Sequence, residues 1–227
     1  MAIRQLSERN NFLYLFMALT VLLFSSAVAD DFPGGIGEDL FSVISILMLI
    51  VGAKSLHTEV DLRRIVYTFA ILLGGVTLMW RVYPTSWTAL LILLILLLVF
   101  LGAFKLSMRK ILFEGKVDAN KIIGSLSLYM LLGLIWTILY LILLTFDPQS
   151  FNGIEISDWR TTFSRVAYYS FVTLTTLGYG DISPKTHIGE FFAYMEAVAG
   201  VFYMAIFVSS LINLSGSLFE KNADGRE

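Results

Sequence analysis

Six long stretches of almost unbroken apolar character constrain this chain more than anything else in it. They are Phe12–Ala29, Leu40–Leu56, Ile65–Trp80, Trp87–Phe104, Ile122–Phe146 and Phe191–Leu214. A helix needs roughly 20 apolar residues to cross a bilayer, with about 17 to 25 tolerated, and each stretch meets or nearly meets that length. The 227 residues are 57% hydrophobic and only 15% charged. A water-soluble chain of this size must show about half its residues to water, so it could not hide that much apolar surface. Hydrocarbon as solvent removes the conflict. The sequence therefore predicts an all-α membrane protein with six spans. Lys54, near the end of the second, can snorkel to the interface.

The rest of the composition excludes more than it assigns. There is no cysteine, so disulfides, thiolate chemistry and Cys-based metal sites are ruled out. His57 and His187, the two histidines, have neither another His nor a carboxylate pair at ligand spacing. The net charge of -2 comes with no dense basic stripe, which argues against a nucleic-acid partner. No nucleophile–base pair or metal set converges anywhere, and no cofactor is expected. An enzyme is not the expectation.

Basic residues set the orientation. With the N-terminus inside, all of the 16 Lys and Arg except Arg81, Arg160, Arg165 and Lys185 fall on the inner side. Positive-inside then places both termini in the cytoplasm of a multi-pass cell-membrane protein. Trp80, Tyr83 and Trp87 near span ends fit an aromatic belt. A second reading exists for the start of the chain. Arg4 and Arg9, an apolar run and the small residues of "SSAVADD" also look like a secretory signal with its cleavage site.

Composition divides the chain into four parts. Residues 1–104 form a four-helix membrane domain, and residues 105–121, "KLSMRKILFEGKVDANK", a basic cytoplasmic linker. Residues 122–214 form a span–short segment–span unit, and residues 215–227 a short cytoplasmic tail. Positive-inside alone accounts for the basic linker. The other reading is a contact with anionic lipid at Lys105, Arg109 and Lys110, worth about 1 kcal/mol per basic residue near the surface.

Between the fifth and sixth spans the run Phe163–Leu177 is too short to cross, so it is expected to be re-entrant or interfacial. It leads into "TTLGYGD", Thr175 to Asp181. Non-helical backbone at membrane depth survives only where protein buries it or it lines water. A helix capped by Asp158 or Thr161 and ending near Thr175 would aim its negative C-terminal end inward. Gly178 and Gly180 would then reach positive φ without steric cost, letting successive carbonyls point one way. Several copies around an axis would stack those oxygens into rings that replace an ion's hydration shell.

"TTLGYGD", with the preceding "YYSFVTL", resembles the pore helix and selectivity filter of tetrameric potassium channels. The resemblance covers residues 122–214 and implies a homotetramer, since one such segment per chain needs four chains to close a fourfold filter. It implies potassium sites made by the carbonyls of Thr176, Leu177, Gly178 and Tyr179 with the Thr176 hydroxyl, Gly180 completing the row. Potassium is then a permeant ligand rather than a cofactor. Thr175, Asp181, Tyr168 and Tyr169 would support the filter from behind, the tyrosines forming a cuff with Tyr179. Leu177 stands where the family usually has valine, a packing change that leaves the backbone oxygens in place. Val172 stands where some relatives have a glutamate facing the filter aspartate, so gating through that acid pair is not expected.

The sixth span would line the inner pore. Gly200, Met204, Val208 and Ile212 lie four apart on one face. Gly200 occupies the family's hinge position, and close helix packing explains it equally well. Glu196, about two turns into the span, is either a gating contact or a structural acid hydrogen-bonded to the pore helix.

Six spans with the pore last match the layout of voltage-gated channels, whose fourth span carries an arginine every third residue. Here the fourth, "WTALLILLILLLVFLGAF", has no charge. The expectation is a potassium-selective channel without a voltage sensor. Two rivals remain: a weakly selective cation channel on the same scaffold, and a transporter or accessory subunit. Transporters usually break helices in both halves of an inverted repeat, and here only one half is broken.

Overall fold

A computed structural model of the chain describes residues 11–29, 36–55, 60–113, 119–155 and 159–224. The helices are α1 (Asn11–Ala29), α2 (Ile36–Ser55), α3 (Val60–Val82), α4 (Ser86–Phe113), α5 (Ala119–Phe146), α6 (Trp159–Leu174) and α7 (His187–Asp224). A two-stranded antiparallel sheet pairs β1 (Phe151–Asn152) with β2 (Ser183–Pro184), matching Phe151 to Pro184 and Asn152 to Ser183.

Each of the six apolar stretches lies on a helix over its described residues. Over the described residues, α1, α4, α5 and α7 are long and apolar enough to cross a membrane, and α3 holds a shorter apolar stretch, Tyr67–Val82. The side chains of residues 48–66, including Lys54, Arg63 and Arg64, lie outside the described residues. The outer surfaces fit a lipid solvent. Large apolar side chains such as Phe24, Ile71, Leu78, Trp87 and Phe202 stand exposed on α1, α3, α4 and α7, where a water-soluble fold would show a polar face.

The core runs without a break from α1 to α6. Phe12, Leu15 and Leu19 of α1 join Ile92, Leu93 and Phe100 of α4, Leu131, Leu134 and Ile138 of α5, and Phe163 and Val166 of α6 in one buried cluster. Gly124 of α5 explains the close approach of α1: a Cβ there would press on the Phe12 ring. Ser127 Oγ donates to the Phe12 carbonyl at 3.4 Å, and Asn120 Oδ1 accepts from the Phe12 N–H at 3.3 Å. The rings of Phe41 on α2 and Phe163 on α6 meet at 5.0 Å between centroids. Thus the first four helices share a core with the segment from α5 onward, rather than standing off as a separate body.

The stretch expected as a linker is largely helical. Residues 105–113 continue α4 and 119–121 open α5, with Lys105 and Arg109 exposed one helical turn apart. A basic, amphipathic end favours extending the helix past the apolar run, since Lys and Arg are good helix formers and suit a C-terminus.

Candidate functional site

Helix α6 carries the site. Its 16 residues span about 24 Å at 1.5 Å per residue, less than the roughly 30 Å hydrocarbon core. It sits on a deeply packed face: Phe163, Val166, Ala167, Tyr169, Ser170 and Leu174 are buried. It ends at Leu174, as the sequence predicts; Asp158, one of the two expected caps, lies outside the described residues.

A helix leaves its last four carbonyls without helical partners, and here each has another donor. The Phe171 carbonyl takes the Thr175 N–H and hydroxyl, at 3.1 and 2.7 Å. Val172 O accepts from the N–H groups of Leu177 and Gly178, at 2.9 and 3.3 Å, and Thr173 O from Thr176 N at 2.9 Å. Leu174 O accepts the Tyr129 hydroxyl of α5 at 3.2 Å. The chain leaving the helix is therefore folded back onto its end.

Beyond it the backbone alternates in handedness. Thr176, Gly178 and Gly180 have φ of 59°, 56° and 80°, while Leu177 and Tyr179 between them are not in the positive region. Positive φ at Gly178 and Gly180 is what the sequence predicts. Thr176 is not foreseeable: a β-branched residue there is a true outlier, at a cost of order 1–3 kcal/mol. In a regular strand successive carbonyls face opposite ways, whereas alternating handedness turns successive peptide groups toward one side, as in backbone nests. Among the described residues, none of the carbonyls from Thr176 to Gly180 accepts a hydrogen bond from the chain. Residues 175–181 are all exposed.

The outer end of this turn is clamped. The β1–β2 pairing begins two residues past Asp181, and Lys185 N donates to Ser150 O at 2.8 Å. Gly153, at φ 80°, backs onto the Asp181 carbonyl so closely that a Cβ would overlap it. Arg165 of α6 holds the Gly153 carbonyl at 3.3 Å.

Of the expected supporting residues, Tyr168 lies beside the turn. Its ring runs parallel to that of Tyr179, 6.4 Å apart and 6° from coplanar, and its hydroxyl faces the Asp181 carboxylate. Thr175 caps the helix, as above. Tyr169 is placed elsewhere within the chain. Its buried ring packs edge-on against Tyr140 and Phe151, at 5.1 and 5.2 Å, away from the turn.

On α7, Gly200 meets the end of α6: a Cβ there would overlap the Leu174 carbonyl. Close packing, one of its two expected roles, is thus explicit in the geometry. Met204 is exposed one turn on. The side chains of Val208 and Ile212 lie outside the described residues. Glu196 is fully buried, with Tyr140 Oη 2.6 Å from one carboxyl oxygen and Ser170 Oγ 2.5 Å from the other. The structural acid expected there is what the geometry displays. Its two partners, on α5 and α6, could not be chosen from sequence, because they meet only through tertiary packing.

Comparison with known proteins falls on the same part of the chain. Residues 126–215 match the family model described as "Ion channel". Over 76 residues the chain is 32% identical to the A-type voltage-gated potassium channel KCND3 of Rattus norvegicus, Oryctolagus cuniculus and Homo sapiens. That match covers 34% of this chain and 10% of each of those proteins. No solved structure gives a significant match. The chain is a membrane protein whose residues 126–215 are similar to ion-channel segments. Within that class, the segment is similar to part of a voltage-gated potassium channel.

Proposed function

We propose that the protein is a potassium-selective channel, a homotetramer in which four copies of residues 175–181 surround one ion path. The observation that carries this is the row of unpaired, exposed carbonyls from Thr176 to Gly180 on a backbone of alternating handedness. Oxygens left without donors in so apolar a protein need a partner, and a dehydrated cation on the axis supplies one. The Thr176 hydroxyl adds the innermost ligand, and Asp181 with Tyr168 braces the outer end.

Leu177 and Tyr179 are 56% and 67% exposed in the single chain, which leaves their side chains for neighbouring subunits to cover. Six spans with both termini in the cytoplasm fit the basic-residue distribution, and α7 lines the inner pathway with Met204, Val208 and Ile212. Lys105 and Arg109 give anionic headgroups a basic face on the inner surface. The uncharged stretch Trp87–Phe104 of α4 supplies no gating charge within the apolar span. Passive conduction by this route uses no cofactor and no catalytic group.

Recording purified protein in planar bilayers, with potassium against sodium and a voltage ramp, tests the whole reading. A potassium-selective current with weak voltage dependence is the expected result. A current that does not discriminate favours the weakly selective rival, and no current at all favours the transporter or accessory-subunit rival.

A further inference from the structure

Glu196 lies at the meeting point of three helices, and the hydrogen count there is decisive. Ser170 Oγ on α6 is 2.8 Å from the Gly133 carbonyl of α5 and 2.5 Å from Glu196 Oε1 of α7. A serine hydroxyl has one hydrogen, and a carbonyl can only accept. If Glu196 were a carboxylate, Ser170 would face two acceptors with one proton, leaving one of these short contacts between bare lone pairs. Tyr140 supplies the hydrogen at the other oxygen, Oε2, at 2.6 Å. A proton on Oε1 makes every contact a full two-centre hydrogen bond: Tyr140 to Glu196, Glu196 to Ser170, Ser170 to Gly133.

The surroundings point the same way. Glu196 is fully buried, and the titratable groups that face it are the tyrosines 129 and 140 of α5 and 169 of α6. Among the described residues, no cation acts on it. A buried carboxylate without a cation is strongly disfavoured. The chain of bonds is also made possible by a deliberate close approach, because Gly133 lies against the Phe171 ring where any Cβ would collide.

We propose that Glu196 is held as a neutral carboxylic acid that relays a hydrogen bond from Tyr140 to Ser170, and that this relay fixes the position of α6 against α5 and α7. It is a positioning residue for the turn that starts one helical turn beyond Ser170, and in that respect the inference rests on the proposed filter. A neutral acid presents a donor on one arm and an acceptor on the other, and a side-chain amide presents the same pair with one further N–H. Glutamine at this position therefore replaces it, while leucine does not.

Two measurements on the full-length tetramer in lipid test this. Infrared absorption of wild type minus Glu196→Gln should contain the carbonyl band of a protonated carboxylic acid, and its absence overturns the neutral state whether or not the protein conducts. In bilayers, Glu196→Gln should keep the wild-type preference for potassium over sodium, while Glu196→Leu loses it by about tenfold, the scale expected on removing a hydrogen bond to a buried acid. Should the leucine variant fail to assemble, Ser170→Ala, which removes the acceptor of the relayed proton, is scored in its place against the same loss. Equal selectivity in the leucine or alanine variant and wild type overturns the positioning role, and so does a glutamine variant as impaired as they are. A wild type that is itself unselective refutes the filter instead and leaves the infrared result standing.

Discussion

Gly200 of α7 lies so close to the Leu174 carbonyl at the end of α6 that no side chain fits between them. The same carbonyl accepts the Tyr129 hydroxyl from α5. Three helices thus meet on the last turn before residue 175, and the backbone of the turn inherits its position from that contact. Gly200→Ala should force α7 and α6 apart at a cost on the order of 1–3 kcal/mol per chain, the usual range for overpacking. Thermal unfolding in detergent should show a lowered midpoint. An unchanged midpoint would mean that the helices separate there without penalty.

Gly178 differs in kind. A Cβ at this residue meets nothing within the chain, so its constraint is the φ of 56° alone. Gly178→Ala should cost on the order of 1–2 kcal/mol per subunit and abolish selective conduction while leaving the helical content intact. Circular dichroism and single-channel recording together read this out. Selective conduction with an unaltered single-channel current would remove residues 175–181 from the ion path.

Thr176→Ala keeps a Cβ at a positive φ and removes one hydroxyl from each chain. The tetramer should assemble as before, with weaker binding at the innermost ion site. The measurement is block by internal barium, whose affinity should fall. Wild-type block would place the Thr176 hydroxyl outside the ion's coordination.

Gly153→Ala tests the clamp behind the turn. The added methyl would meet the Asp181 carbonyl at a backbone φ of 80°, so two separate penalties coincide. The outer end of the turn should loosen, and selective current should decline during sustained recording faster than in wild type. Identical time courses would show that β1 and its loop do not support the turn.

An uncharged Trp87–Phe104 has no means of sensing voltage. Each charge moved through 100 mV contributes about 2.3 kcal/mol, and steep gating needs several. Open probability should therefore change only shallowly with voltage, and a gating charge of several elementary charges per channel would contradict this.

The apolar runs and the glycine spacing of "TTLGYGD" made the helices and the turn legible, because both are local properties: length against bilayer thickness, and access to positive φ. The positive φ at Thr176 was not legible, since threonine avoids it and only the surrounding hydrogen bonds impose it. The inward burial of Tyr169 beside Tyr140 and Phe151 was also hidden, because adjacent helical residues Tyr168 and Tyr169 point to different sides and nothing local says which side is which. Nor could the sequence reveal that α1 packs on α5, as Phe12 and Gly124 meet across more than a hundred residues of chain. Glu196 stood out as a costly acid in an apolar span, but its relay to Ser170 required the fold.

The central claim is that unpaired carbonyls of residues 176–180 select potassium. The most direct test is the reversal potential of the purified channel with potassium on one side of a bilayer and sodium on the other. A reversal potential displaced far toward the potassium equilibrium value is the expected result, with rubidium nearly equivalent to potassium. A value near zero contradicts the account.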